Sequence, residues 1–177
     1  MQLYGVATIL SLVVLGGVAL FGVLILTINA SSETLCEKAG KDLNMTKLVS
    51  GTYFFKDDFS FWISWDDAKA FCESHGLELL TVTNRYEAAE ITDVFETYLW
   101  TSGYFFRDGE NPPGQFKWQN GSIIPLDSAM WSSFFDEPNH YLTKNRTCVL
   151  LYRGELLDDP CVGWYPFACE IPHSCYS

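Results

Sequence analysis

Six cysteines set the tightest limit on what this chain can become. Cys36, Cys72, Cys148, Cys161, Cys169 and Cys175 all follow a long apolar stretch, and four of them crowd between residues 148 and 175. Residues 1–32 carry no charged side chain, and Gly5 to Ile28 is nearly continuous Val, Leu, Ile, Gly, Ala and Phe. About 24 residues of helix rise about 36 Å, enough to cross a hydrocarbon core of about 30 Å, so the stretch reads as an uncleaved signal-anchor. Ile28-Asn29-Ala30 also offers a small-residue processing site that would release a soluble chain from Ser31. Either route carries the remainder into the secretory pathway, where six cysteines are expected to pair. Three acceptors for N-linked glycan, Asn44-Met45-Thr46, Asn120-Gly121-Ser122 and Asn145-Arg146-Thr147, agree with a lumenal or extracellular location. Zinc is the other use of cysteine, but no Cys-x-x-Cys or His-x-x-x-His spacing occurs and His75, His140 and His173 are scattered.

The 177 residues leave room for one compact domain after the apolar segment. A formal net charge of -11 would repel a phosphate backbone, which removes nucleic acid as a partner. Acidity by itself does not mark a metal site, since a solvated acidic surface has the same composition.

Residues 33–50 show no sustained apolar period and read as a stem. Gly51 to Phe55 is a short aromatic strand stopped by Lys56-Asp57-Asp58. Ser64-Trp65-Asp66-Asp67 is a capping box for a helix that places Trp65, Ala68, Phe71 and Cys72 on one face, with Gly76 set to end it in a left-handed cap. Asp66 and Asp67 are thereby structural. Leu77 to Val82 reads as a strand, and Asn84-Arg85-Tyr86-Glu87 repeats the capping logic for a second helix that turns Ala88, Ile91, Val94 and Phe95 inward. Beyond Tyr98 helical periodicity disappears. Leu99 to Gly103 and Phe116 to Trp118 are candidate strands, Asn111-Pro112-Pro113-Gly114 a turn, and two further strands run through Cys148 to Leu151 and Trp164 to Glu170. Trp100, Trp118, Trp131 and Trp164 are assigned to the core, because indole burial supplies much of a small domain's stability.

Glu137-Pro138-Asn139 places two side-chain oxygens around a proline. A cis X-Pro bond in a tight turn would aim the Glu137 carboxylate and the Asn139 amide oxygen at one point, a geometry suited to a hard cation or a sugar hydroxyl. The same tripeptide is also ordinary turn material.

Taken together, Trp65-x-x-Ala68-x-x-x-Cys72, the Leu99-Trp100-Thr101-Ser102-Gly103 strand, Phe116-x-Trp118-x-x-Gly121-Ser122, Glu137-Pro138-Asn139 and the ordered Cys148, Cys161 and Cys169 give a pattern that resembles the C-type lectin domain family over residues 51–171. Residues 172–177 then form a short tail. The resemblance implies an α+β fold with two helices, two small antiparallel sheets and a long ligand-binding loop region. It also implies bonds between Cys72 and Cys169 and between Cys148 and Cys161, leaving Cys36 and Cys175 to pair with each other or between chains. In lectins of this family the Glu-Pro-Asn loop holds calcium and, through it, mannose-type sugar hydroxyls. Glu137, Asn139 and Asp158 stand where calcium ligands would be. Arg146 stands where a further acidic ligand usually lies, and Leu156-Leu157-Asp158 replaces a Trp-Asn-Asp motif. A one-residue slip would let Asp158 and Asp159 replace the Asn-Asp pair. If the Arg146 guanidinium lay about 5 Å from a divalent ion, repulsion at an effective dielectric near 20 would be roughly 6 kcal/mol, enough to abolish a millimolar site; turned to solvent it would cost little.

The expectation is therefore a non-enzymatic extracellular module that binds a glycan or glycoprotein through Glu137, Asn139, Asp158 and Asp159, with a partly degraded calcium site. The rival keeps the fold and drops the metal: a protein-binding receptor domain in which Arg146 pairs with Glu137 or Asp158. Catalysis is not expected. Adjacent aspartates such as Asp57-Asp58 and Asp158-Asp159 point to opposite faces of a strand, and no Ser, His and Asp set is legible. With the anchor retained, only Met1 to Tyr4 would be cytoplasmic, too short for a docking motif, and the span has no charge to pair with an adaptor.

Overall fold

The computed structural model describes residue 36 and residues 38–56, 62–107 and 115–176. The apolar segment, the Asp57-Asp58 pair and the turn at residues 111–114 lie outside the described residues. Among the described residues no helix is long and apolar enough to cross a membrane.

Helix α1, Trp65–Ser74, starts where the sequence places it. The Ser64 hydroxyl accepts the Asp67 amide at 3.3 Å and donates to the Asp67 carboxylate at 2.6 Å. It ends at Gly76, whose φ of 69° lets the Leu77 amide reach back to the Cys72 carbonyl at 2.9 Å, a left-handed cap that a side chain would strain. Trp65, Ala68 and Cys72 are buried, and the Trp65 indole donates to the Thr101 carbonyl at 2.7 Å.

Helix α2, Arg85–Val94, is capped by Asn84, whose side chain accepts the Tyr86 and Glu87 amides, each at 3.0 Å. Glu87 does not complete the box on the cap's own amide. Its carboxylate accepts the Thr83 amide and hydroxyl, and the Tyr53 phenol on the far side. The inward stripe is Ala88, Ile91, Thr92 and then Phe95, which stacks on Phe55 at 3.9 Å. Val94, expected inward, is 47% exposed. It lies six residues past Ala88 and falls off the 3.6-residue stripe, while Thr92 takes the buried place by donating its hydroxyl to the Ala88 carbonyl.

The strands are β1 Thr46–Lys47, β2 Thr52–Lys56, β3 Glu78–Leu79, β4 Leu99–Phe106, β5 Phe116–Lys117, β6 Ile123–Ile124, β7 Arg146–Tyr152, β8 Glu155–Pro160 and β9 Phe167–Glu170. One antiparallel group runs through β1, β2, β9 and β3, the other through β4, β7 and β8 with β5 and β6 on the other edge of β4. The two groups meet at a single parallel pairing, Trp100 with Phe167, so the two small sheets form one continuous hydrogen-bonded path. Gly103 sits where β4 changes register against β7. A β-carbon there would lie 2.7 Å from that of Val149 and 3.1 Å from the Trp118 ring, which explains a glycine inside a buried strand.

Trp100, Trp118 and Trp131 are core residues, but Trp164 is 71% exposed. It follows the tight turn at Gly163, and strand alternation gives the inward position to Tyr165, whose ring meets Trp100 edge-on at 4.9 Å. Three disulfides close the framework: Cys72 to Cys169 ties α1 to β9, Cys148 to Cys161 ties β7 to the end of β8, and Cys36 to Cys175 joins the two ends of the described chain. No free cysteine remains among the described residues.

Candidate functional site

The segment after Trp131 is bound to the edge of β8. Trp131 bridges to Leu156, the Ser132 amide donates to the Leu156 carbonyl at 2.9 Å, and the Ser132 hydroxyl donates to Glu155 at 2.6 Å. The chain then turns through a cis Glu137-Pro138 bond and enters a single 3-10 turn, His140–Leu142. The Asn139 amide group donates to Glu137 Oε1 at 3.1 Å and to the Phe135 carbonyl at 3.2 Å, so the two outer residues of the tripeptide are bonded to each other.

Asp158 organises this loop from below. It is buried on β8, opposite Val149, and its carboxylate accepts three consecutive backbone amides: Asn139 at 2.7 Å, His140 at 3.0 Å and Tyr141 at 2.8 Å. A buried carboxylate is tolerable only when bonded in this way, and three of its roughly four acceptor positions are used. Glu137 completes the connection by accepting the Asp158 amide at 3.1 Å. Burial and the neighbouring Asp158 carboxylate push the Glu137 carboxyl up to about 7. Asp159, the next residue, faces the other way and accepts the Tyr165 phenol at 3.0 Å; burial raises its carboxyl as well. The phenol of Tyr165 is pushed up to about 12, first by burial and then by Asp159.

All four residues expected to touch ligand thus lie at or beneath one loop, with different tasks. Glu137 and Asn139 are partly exposed at its rim, Asp158 supports it from inside, and Asp159 flanks it. The structure adds His140, which linear spacing gave no reason to select. Its ring lies between the two aspartates, Nδ1 4.0 Å from Asp158 and Nε2 3.7 Å from Asp159. The available signal was its place directly after Asn139, and only the docking of residues 130–132 on the edge of β8 brings the aspartates to it. One donor atom each from Glu137, His140 and Asp158 lie within 4.8 Å of one another.

Arg146 does not pair with Glu137 or Asp158, as the calcium-free alternative supposed. Its guanidinium forms an ion pair with Asp66 on α1 and lies 4.4 Å over the Phe106 ring. Asp66, read as a helix-start residue, therefore also anchors this arginine. Leu157 is buried in the core opposite Leu150. The side-chain oxygens the loop offers are those of Glu137, Asn139 and Asp158, while Arg146 and Leu157 supply none, so further positions of a calcium ion would fall to backbone carbonyls and water. Asn44, Asn120 and Asn145 are all exposed.

Comparison with known proteins agrees with this architecture. Residues 59–171 match the family model described as Lectin C-type domain. The rat (Rattus norvegicus) protein C-type mannose receptor 2 is 27% identical over 146 residues, covering 73% of this chain and 9% of the receptor, so the chain spans only a small part of that relative. Among solved structures, the carbohydrate-recognition domain of the mouse scavenger receptor C-type lectin superposes with a TM-score of 0.55 at 22% identity, covering 71% of this chain and 93% of that one. A calcium-independent type II antifreeze protein superposes with a TM-score of 0.54 at 20% identity over 71% and 88% of the two chains. At these identities the structural likeness establishes the fold. With the family model spanning most of the described chain, the protein belongs to the C-type lectin domain family.

Proposed function

We propose that this domain is an extracellular recognition module that binds a glycan, free or on a glycoprotein, at the rim formed by Glu137 and Asn139, with little dependence on calcium. The family consists of recognition modules and not enzymes. The observation that carries the reading is the loop's construction: Glu137 and Asn139 are held 3.1 Å apart, and the backbone between them and Tyr141 is fixed by the buried Asp158 carboxylate. A preformed pair of an acceptor and an amide is what a sugar diol requires, and the cost of ordering the loop falls on folding rather than on binding. C-type lectins typically bind calcium; the short oxygen set argues for a weak site here. The exposed sequons and the paired cysteines support placement outside the cell, with the apolar segment as anchor or cleaved signal.

A second reading, recognition of a protein surface by the same face, is favoured by exposed apolar residues on either side of the tripeptide: Phe134 is 85% exposed and Leu142, in the following turn, 63%. A glycan array probed with the full-length chain, in calcium and in chelator, separates the two. Binding to mannose-type or N-acetylglucosamine-type structures that changes little with calcium is the expected result; no saccharide bound under either condition would leave the protein-binding reading.

A further inference from the structure

We propose that Glu137, His140 and Asp158 form a site for a divalent ion of borderline character, zinc being the representative, and that the loop selects this ion over calcium. The proposal concerns the same loop as the glycan reading but does not depend on it.

The first observation is the donor set. One atom from each of the three side chains lies within 4.8 Å of the others, and one of the three is an imidazole nitrogen. Imidazole with carboxylate suits zinc, copper or nickel, whereas calcium takes oxygens almost alone. The second observation is independent. His140 Nδ1 is buried from solvent and has no hydrogen-bond partner, although the backbone amides of Asn139, His140 and Tyr141 around it are all bonded to Asp158. A buried nitrogen lone pair without a donor costs free energy, and an ion between it and the carboxylates would remove that cost.

The surroundings supply what such a ligand needs. His140 Nε2 lies 3.7 Å from Asp159 Oδ1, and Asp159 is held in turn by the Tyr165 phenol at 3.0 Å. A carboxylate behind the outer nitrogen, although beyond hydrogen-bond distance as the ring stands, favours the proton on Nε2 and Nδ1 as the metal-binding atom, the arrangement that usually accompanies a metal-bound histidine. Asp158 Oδ1 accepts two backbone amides and Oδ2 one, so its remaining acceptor position is on Oδ2, and each Glu137 oxygen accepts one donor and keeps a position for an ion. Donors bound at about 2.1 Å in a tetrahedral shell lie about 3.4 Å apart. The donor atoms of the three side chains, within 4.8 Å of one another, would therefore have to draw together by no more than about 1.4 Å. Three protein donors leave a fourth position for water or a ligand oxygen.

The test uses the full-length, oxidised chain, stripped with chelator and dialysed. Zinc chloride and calcium chloride are titrated separately by calorimetry, with no saccharide present, so a failure of glycan recognition leaves this measurement untouched. The expected result is one zinc per chain, with an affinity that His140→Ala lowers roughly tenfold or more and Asp159→Asn lowers less, while His75→Ala and His173→Ala leave it unchanged. In the wild-type protein, histidine ring resonances assigned to His140 should move on zinc addition and those of His75 and His173 should not, a readout that requires no variant to fold. Absence of zinc uptake at about 100 μM, unchanged affinity in His140→Ala, movement of the other histidines instead, or calcium bound more tightly than zinc would each overturn the proposal.

Discussion

Arg146 shows how one rotamer decides a site. In sequence it stands where an acidic ligand is expected, and at about 5 Å from a divalent ion its charge would cancel the binding. In the structure it leaves the loop altogether for Asp66 and the face of Phe106. Arg146→Glu should therefore not create a calcium site, since the new carboxylate would face Asp66; both side chains are substantially exposed, so the like charges should cost no more than about 1 kcal/mol. Calcium titration and a thermal melt of the variant check both statements, and gain of calcium binding would show that the side chain can turn toward the loop. The cation's absence from the site was not readable from the chain, because Asp66 lies 80 residues away and was fully accounted for as a helix-start residue. The same holds for His140: its neighbours Asp158 and Asp159 are distant in sequence and arrive only through the docking of residues 130–132 on the edge of β8.

At the scale of elements, local chemistry carried most of the message. Ser64, Gly76 and Asn84 mark the ends of α1 and α2 because caps depend on residues within one turn. Strand extents were less legible: β3 is only two residues long where six looked extended, since its limits depend on which partner strand is in reach. Trp164 was misplaced for a related reason, as alternation is set by the register of the turn at Gly163 and not by hydrophobicity. Gly103 belongs to β4 for steric reasons, so Gly103→Ala should cost about 1 to 3 kcal/mol, because Val149 meets it at its β-carbon and has no torsion that would relieve the clash. Denaturant unfolding measures this, and a variant as stable as the parent would mean that β4 and β7 separate more easily than their register implies. β9 carries a second consequence. Glu170 accepts the Thr81 amide at 2.9 Å, and burial pushes its carboxyl up to about 8. Because the folded value lies above the unfolded one, its stabilising contribution is complete below about pH 4.5 and is lost as pH rises through 8, by at most about 4 kcal/mol between pH 5 and 8. Glu170→Gln should accordingly melt higher than the parent at pH 8 and lose that advantage near pH 5; a difference that does not vary with pH would remove burial as the cause.

For the whole molecule, the disulfides and the sheet make one frame on which the loop is mounted. Cys148 to Cys161 spans the two strands that carry Arg146 and Asp158, and Cys72 to Cys169 holds α1 against β9 beneath them. The cysteine order and the tripeptide made the family legible in the sequence, whereas the support of the loop by Asp158 depends on a backbone path that no residue pattern encodes. The account's central claim is that Glu137, held by this frame, grips the ligand. Its most direct test is the affinity of the full-length chain for its best array saccharide, compared between parent and Glu137→Gln. The substitution keeps one acceptor oxygen, turns the other into an amide donor that would face either the Asn139 side chain or the Asp158 amide, and removes the carboxylate charge that strengthens a bond to a sugar hydroxyl. The account predicts a loss of roughly tenfold, about 1.4 kcal/mol, with the melting temperature lowered by only a few degrees through the loss of one internal hydrogen bond, so that the protein stays folded in the binding measurement. Equal affinity in the two proteins would contradict it and place the binding surface elsewhere on the domain.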